Sequence, residues 1–190
     1  MQDSNLKAKD RVAIFVDGAN LFYAESTLGI QINHRNFLQY IVAQRSLAGA
    51  FFYTGFNSSR PSERKALARK KSEGYKVITK KVIRRADGSK KANLDVEMTV
   101  DMLREVSDGT FGTLILVSGD GDFTYAVETI KSKGVRVEVI GLKSMTSRTL
   151  IRSADRFTNL ANIQSNIGHN HYLNSTVSQL LQYQPVRQLA

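Results

Sequence analysis

Apolar residues along the chain alternate between two rhythms. Residues 11–17, RVAIFVD, form a continuous apolar, β-branched run that breaks at Gly18, which is how a strand buried on both faces reads. Helical spacing follows over 20–28 and over 35–45, where Phe37, Leu38, Ile41 and Val42 share one side. Residues 48–56, AGAFFYTGF, predict a second strand. Pro61 suits a first helical turn, and the charged segment behind it runs to Lys71 and stops at Gly74. From Tyr75 to Arg84 the pattern predicts a third strand, whose polar and basic residues assign it to a sheet edge.

Beyond the turn ADGSKK, Leu94, Met98, Met102, Leu103 and Val106 recur at helical intervals through 93–106, and this helix ends near Gly109. TLILVSG (113–119) is the most apolar strand. GDFTYAVETIKSK opens a helix with Val127 and Ile130 inward, VRVEVIG supplies another strand, and 147–155 a short helix before FTNLANI. Strand and helix alternate, so the expected fold is a three-layer α/β sandwich with a mainly parallel, Rossmann-like sheet and helices on both faces. The expected organisation is a polar segment 1–10, one domain over 11–163, and a polar tail 164–190. Two readings of the tail stand: disorder, or one amphipathic helix built on Leu173, Val177, Leu180, Leu181 and Tyr183 that docks on a second copy or a protein partner.

Composition narrows the chemistry. At 190 residues and 42% hydrophobic, the chain can bury one substantial core. It has no cysteine, which excludes disulfides, thiolate zinc sites and a cysteine nucleophile. Its apolar runs are too short for a signal peptide or a membrane span, so a soluble cytoplasmic protein is the reading. Lys and Arg total 27 against 17 Asp and Glu, a formal charge of +10 that suggests a polyanionic partner. The positive charge concentrates between Arg60 and Lys91, including Lys80, Lys81, Arg84, Lys90 and Lys91; a solvated basic surface is the plainer alternative.

In open parallel sheets, ligands bind outside the carboxyl ends of the strands. Asp17 ends the first strand and Asp120 follows TLILVSG, which neighbours it if the strand order reverses between them. Asp122 stands at the next helix start, where capping explains an acid as readily as catalysis does. Asp95 opens the preceding helix, so three segments deliver carboxylates to one rim. Crowded carboxylates repel unless a cation neutralises them or their pKa values rise. An all-oxygen set selects Mg²⁺ or Mn²⁺, and ions of that kind serve phosphodiester hydrolysis.

Three motifs carry a family resemblance: VAIFVDGANLF at 12–22, NLDVEMTVDML at 93–103 and LILVSGDGDF at 114–123. In this combination and order, residues 11–160 resemble the NYN domains, specifically the LabA-like branch of the PIN-like nuclease superfamily. The resemblance implies a Rossmann-like sheet with an acidic metal pocket and ribonuclease activity. It assigns metal-binding or catalytic roles to Asp17, Asp95, Asp120 and Asp122, with Asn20 and Ser118 as substrate contacts assisting through hydrogen bonds to water or phosphate. Asp101 matches a further recurring acid, but six residues of helix rotate it away from Asp95, so it ranks as secondary.

The resulting expectation is a metal-dependent ribonuclease, endonucleolytic in action, in which basic residues track the RNA backbone. The competing expectation is an RNA-binding regulator that keeps the fold and turns over little. Arg148 serves phosphate or solvent equally. Phe22 and Tyr23 could stack on a base, although burial is the commoner fate of such aromatics. GDGDF lacks the full dinucleotide fingerprint, and His34, His169 and His171 do not form a metal set.

Overall fold

The computed structural model describes residues 10–57, 60–84 and 90–170. Strand β1 (Arg11–Asp17) leads into helix α1 (Gly18–Leu28), then β2 (Ile30–Ile32), α2 (His34–Val42), β3 (Ser46–Phe56), α3 (Pro61–Ser72) and β4 (Lys76–Lys81). A small hairpin, β5 (Ile83–Arg84) with β6 (Lys90–Lys91), precedes α4 (Asp95–Ser107) and β7 (Thr113–Val117). A 3₁₀ turn (Gly121–Phe123), α5 (Thr124–Ser132), β8 (Arg136–Gly141), α6 (Arg148–Ser153), β9 (Arg156–Asn159), α7 (Leu160–Ile167) and β10 (Gly168–Asn170) complete the described chain.

Six strands form one sheet in the order β4-β3-β1-β7-β8-β9, all neighbours parallel. The chain builds outward from β1 in one direction and then returns to β7 on its other side. A crevice therefore opens at the carboxyl ends of β1 and β7, the topological switch point of an open α/β sheet. The alternation of β1 explains the layers. Val12, Ile14 and Val16 enter one core with residues of α1, α2 and α7, while Ala13 and Phe15 enter the other with residues of α4, α5 and α6. Phe15 stacks on Phe51 with centroids 4.7 Å apart, which locks β1 to β3.

The edge expected of the 75–84 segment is where β4 lies, but the segment is not one strand. It breaks at Val82, and Ile83–Arg84 turns off the sheet to pair with Lys91 and Lys90. The segment FTNLANI divides into β9 and the start of α7. Two short strands had no periodic signal: β2 pairs antiparallel with β10, Gly168 opposite Ile32 and Asn170 opposite Ile30. The chain thus stays in regular structure past residue 163. The tail pattern from Leu173 to Tyr183, the N-terminal segment up to residue 9 and His171 lie outside the described residues. Among the described residues, no helix is long and apolar enough to cross a membrane.

Candidate metal centre

Asp17 ends β1 and caps α1. Its Oδ1 accepts from the backbone N–H groups of Ala19 and Asn20, both at 3.1 Å, which occupies donors that a helix start leaves free. The next residue has to be glycine: a Cβ on Gly18 would lie 2.7 Å from the Tyr53 carbonyl oxygen and from the Phe52 ring. Close approach of β3 to the strand end therefore sets the sharp turn that aims Asp17 upward. Its second oxygen, Oδ2, accepts from the Ser118 hydroxyl at 3.0 Å.

Ser118 lies buried just past β7 and joins the two strand ends. Its hydroxyl donates to Asp17 and its Oγ accepts from the Asp120 amide at 3.1 Å. Asp120 in turn caps the 3₁₀ turn, its Oδ1 accepting from the Asp122 N–H at 3.0 Å. The loop is held from outside by residues 142–147. The Ser147 amide donates to the Gly119 carbonyl at 2.9 Å, and a Cβ on Gly119 would stand 2.7 Å from the Met145 carbonyl oxygen. Asp95 arrives from the start of α4, its amide held by the Asn93 side-chain oxygen at 2.8 Å.

The outcome is a trio. Asp95, Asp120 and Asp122 each offer a carboxylate oxygen, and these atoms lie within 4.8 Å of one another. The span is close to the roughly 4 Å across which opposed oxygen ligands of a small hard cation sit. Asp17 stands behind the trio, near enough for its charge to act on Asp95. Burial raises the Asp17 carboxyl above its ordinary range against its hydrogen bonds, with a further push from the charge of Asp120. The Asp95 carboxyl is raised too, first by burial and then by Asp120, Asp17 and Asp122. Donor type, spacing and mutual repulsion all fit a hard divalent cation.

Other residues singled out from the sequence fall in different places. Asn20 is half-buried on α1 one turn from Asp17. Lys80 is engaged: its Nζ donates to the Asn93 carbonyl at 3.0 Å and to Glu97 Oε1 at 2.6 Å, so it braces the approach to Asp95. Lys81 is exposed at the end of β4, and the β5–β6 hairpin carries Arg84, Lys90 and Lys91. Arg148 is exposed at the first position of α6, directly after the residues that clasp Gly119. Asp101 sits off the trio: Tyr53 donates to its Oδ2 at 2.9 Å and Arg104 pairs with its Oδ1 at 2.8 Å. Phe22 and Tyr23 are not buried; each exposes 61% of its surface, because α1 turns only Leu21 and Ala24 inward at that point. Two positioning residues, Asn93 and Ser147, escaped the sequence reading. Asn93 carries a usable signal, since an Asn two residues before a helical acid favours a side-chain turn.

Comparison with known proteins gives a consistent picture. The NYN domain family is matched over residues 11–162. Low amplitude and bright protein LabA of Synechococcus elongatus is 35% identical over 165 residues, spanning 82% of this chain and 86% of the relative. A crystal structure of a protein of unknown function from Vibrio parahaemolyticus superposes with a TM-score of 0.72 at 31% identity, over 85% of this chain and 98% of the other.

Proposed function

This chain belongs to the NYN domain family, within the PIN-like nuclease superfamily, and on that basis we propose that it is a divalent-metal-dependent ribonuclease. The observation that carries the proposal is the gathering of Asp95, Asp120 and Asp122 from three segments onto one rim at the strand-order switch. Three carboxylates there have no stabilising cationic side chain among the described residues. Mg²⁺ or Mn²⁺, when bound, supplies the acidity that activates water and the charge that offsets the developing phosphorane oxygens.

The chain's own residues supply the rest. Asp95, Asp120 and Asp122 are the ligands, and Asp17 orients the loop through Ser118 while adding negative potential. Asn20 and Arg148 serve in this reading as hydrogen-bond and phosphate contacts. Lys81 and the β5–β6 hairpin track the RNA backbone by sequence-independent charge. Cutting is endonucleolytic in this reading.

A binding-only regulator draws support from one observation: both oxygens of Asp17 already accept hydrogen bonds from Ala19, Asn20 and Ser118, and Asp17 lies outside the trio whose oxygens gather within 4.8 Å. A circular RNA incubated with the protein separates the two. Linearisation in Mg²⁺ or Mn²⁺, absent in EDTA and lost in Asp17→Asn, is the expected result. Binding that leaves circular and linear RNA intact under every metal condition rejects the nuclease, whereas degradation of the linear RNA alone rejects endonucleolytic action.

A further inference from the structure

A groove of about 980 Å³ runs between α1 and α3 and reaches Gly18, the residue after Asp17. Phe22 and Glu25 form one wall, Leu67 and Lys70 the other, and Phe52 and His34 the floor. Nothing described fills it. Helix α3 has no buried residue along its 12 residues, and Ala66 and Leu67 line the groove. A helix that contributes a wall and no core is unusual in a sheet-backed layer, where burial of one face normally holds the helix in place.

The groove's chemistry is mixed in a particular way. Phe22 presents an exposed ring at the end nearest Asp17. Lys70 lies half-buried with its ammonium 5.0 Å above the Phe52 ring centre, and burial lowers its pKa to about 8 despite the opposing charges of Glu73 and Glu25. Along the outer side of α3, Arg64, Lys65 and Lys71 are exposed and make no ion pair among the described residues. A wholly apolar occupant would have to dehydrate Lys70 and Glu25 on facing walls, a costly burial without new partners. The lining sets two cations, Arg69 and Lys70, beside two acids, Glu25 and Glu63, so the excess positive charge lies on the exposed flank of α3; the exposed Phe22 ring together with that basic flank matches a nucleic acid strand, whose bases stack and whose phosphates need positive charge. Helix α1 follows the groove for ~16 Å, its 11 residues rising 1.5 Å each, which is room for a few nucleotides.

We infer that the α1–α3 groove is a channel for single-stranded RNA leading away from the acidic trio, with Phe22 as the stacking platform and Lys70 as a cationic contact. The ligand class rests on the ribonuclease reading, but the test does not require cleavage. Fluorescence anisotropy with a labelled, unstructured 12-nucleotide polyuridine, in EDTA, reads binding alone for the full chain. Phe22→Ala weakens affinity by about tenfold, as loss of one stacked base does. Lys70→Gln lowers the slope of log affinity against log salt by about 0.7, one phosphate contact on a single strand. Glu128→Gln, an exposed acid on α5, leaves both quantities unchanged and serves as the control. Thermal midpoints of all three are measured alongside, and ultraviolet cross-linking of 4-thiouridine RNA to the peptide bearing Phe22 supplies a readout independent of folding.

Wild-type affinity in both Phe22→Ala and Lys70→Gln overturns the channel even where circular RNA is cut, leaving the nuclease standing. Loss of affinity in Phe22→Ala with no cutting by the wild type supports the channel and removes the nuclease. Amide protection of residues 171–190 that Phe22→Ala abolishes, at unchanged RNA affinity, assigns the groove to the chain's own terminus and overturns the proposal.

Discussion

Ser118 has one hydroxyl and uses it twice, donating to Asp17 and accepting from the Asp120 amide. It touches neither cation nor substrate in the proposed reaction, yet it sets the distance between two strand ends. Ser118→Ala is expected to slow single-turnover cleavage by about 10- to 100-fold, the usual effect of losing a residue that orients a ligand. The folding cost should be about 1–3 kcal/mol in urea melts, two modest hydrogen bonds. Asp95 yields a pH prediction. Its carboxyl is raised by burial and by three neighbouring acids, so the folded state holds that proton more tightly than the unfolded chain does. The penalty for ionising it is absent well below the unfolded value of about 3.9, grows as pH rises through the window up to the raised folded value, and is complete above it. Asp95→Asn in EDTA should therefore melt higher than wild type at pH 7, and the gain should shrink as pH falls towards about 4. Calorimetry across that range checks both the sign and the window.

At the scale of elements, α4 does two separable jobs. Its first residue belongs to the acidic trio, while Asp101, half a helix further on, ties it to β3 through Tyr53 and to its own surface through Arg104. Asp101→Ala is expected to lower stability by about 1–2 kcal/mol in chemical denaturation and to leave cleavage within about twofold, since a surface-directed tether contributes nothing to the transition state. A loss of activity comparable to that of an Asp120 substitution would instead bring Asp101 into the site. The main strands and helices were legible because each carries a strong period: β1 and β7 as unbroken apolar runs, α4 as Leu94, Met98, Met102 and Val106. Strands β2 and β10 were not, because three residues cannot display a period and their pairing joins positions far apart in the chain. The exposure of Phe22 and Tyr23 was also hidden, since it depends on which face α1 turns to the core, where Leu21 and Ala24 are the residues buried, and tertiary packing decides that.

Across the whole molecule, the sheet order converts separate motifs into one site. Asp17, Asp95, Asp120 and Asp122 were legible as candidates from their places at strand and helix ends, but only the pairing of β1 with β7 brings the ends of two distant segments side by side. The hierarchy among the four acids was not legible. Asp17 and Asp95 look alike in sequence, and it is the capping of α1 and the Ser118 bond that engage both oxygens of Asp17, while Asp95 stays in the trio. Charge follows the same logic. The chain carries a net +10 beside an acidic trio, so in the proposed function RNA is drawn to the basic surface and the cation to one rim. Replacing one rim acid should then separate chemistry from binding. The decisive comparison is the single-turnover rate of RNA cleavage by wild type and by Asp120→Asn in saturating Mg²⁺ or Mn²⁺, with RNA affinity measured in parallel. The account predicts metal-dependent cleavage that falls by at least about 1,000-fold in Asp120→Asn at undiminished affinity; cleavage in EDTA, or an unimpaired rate in the variant, contradicts it.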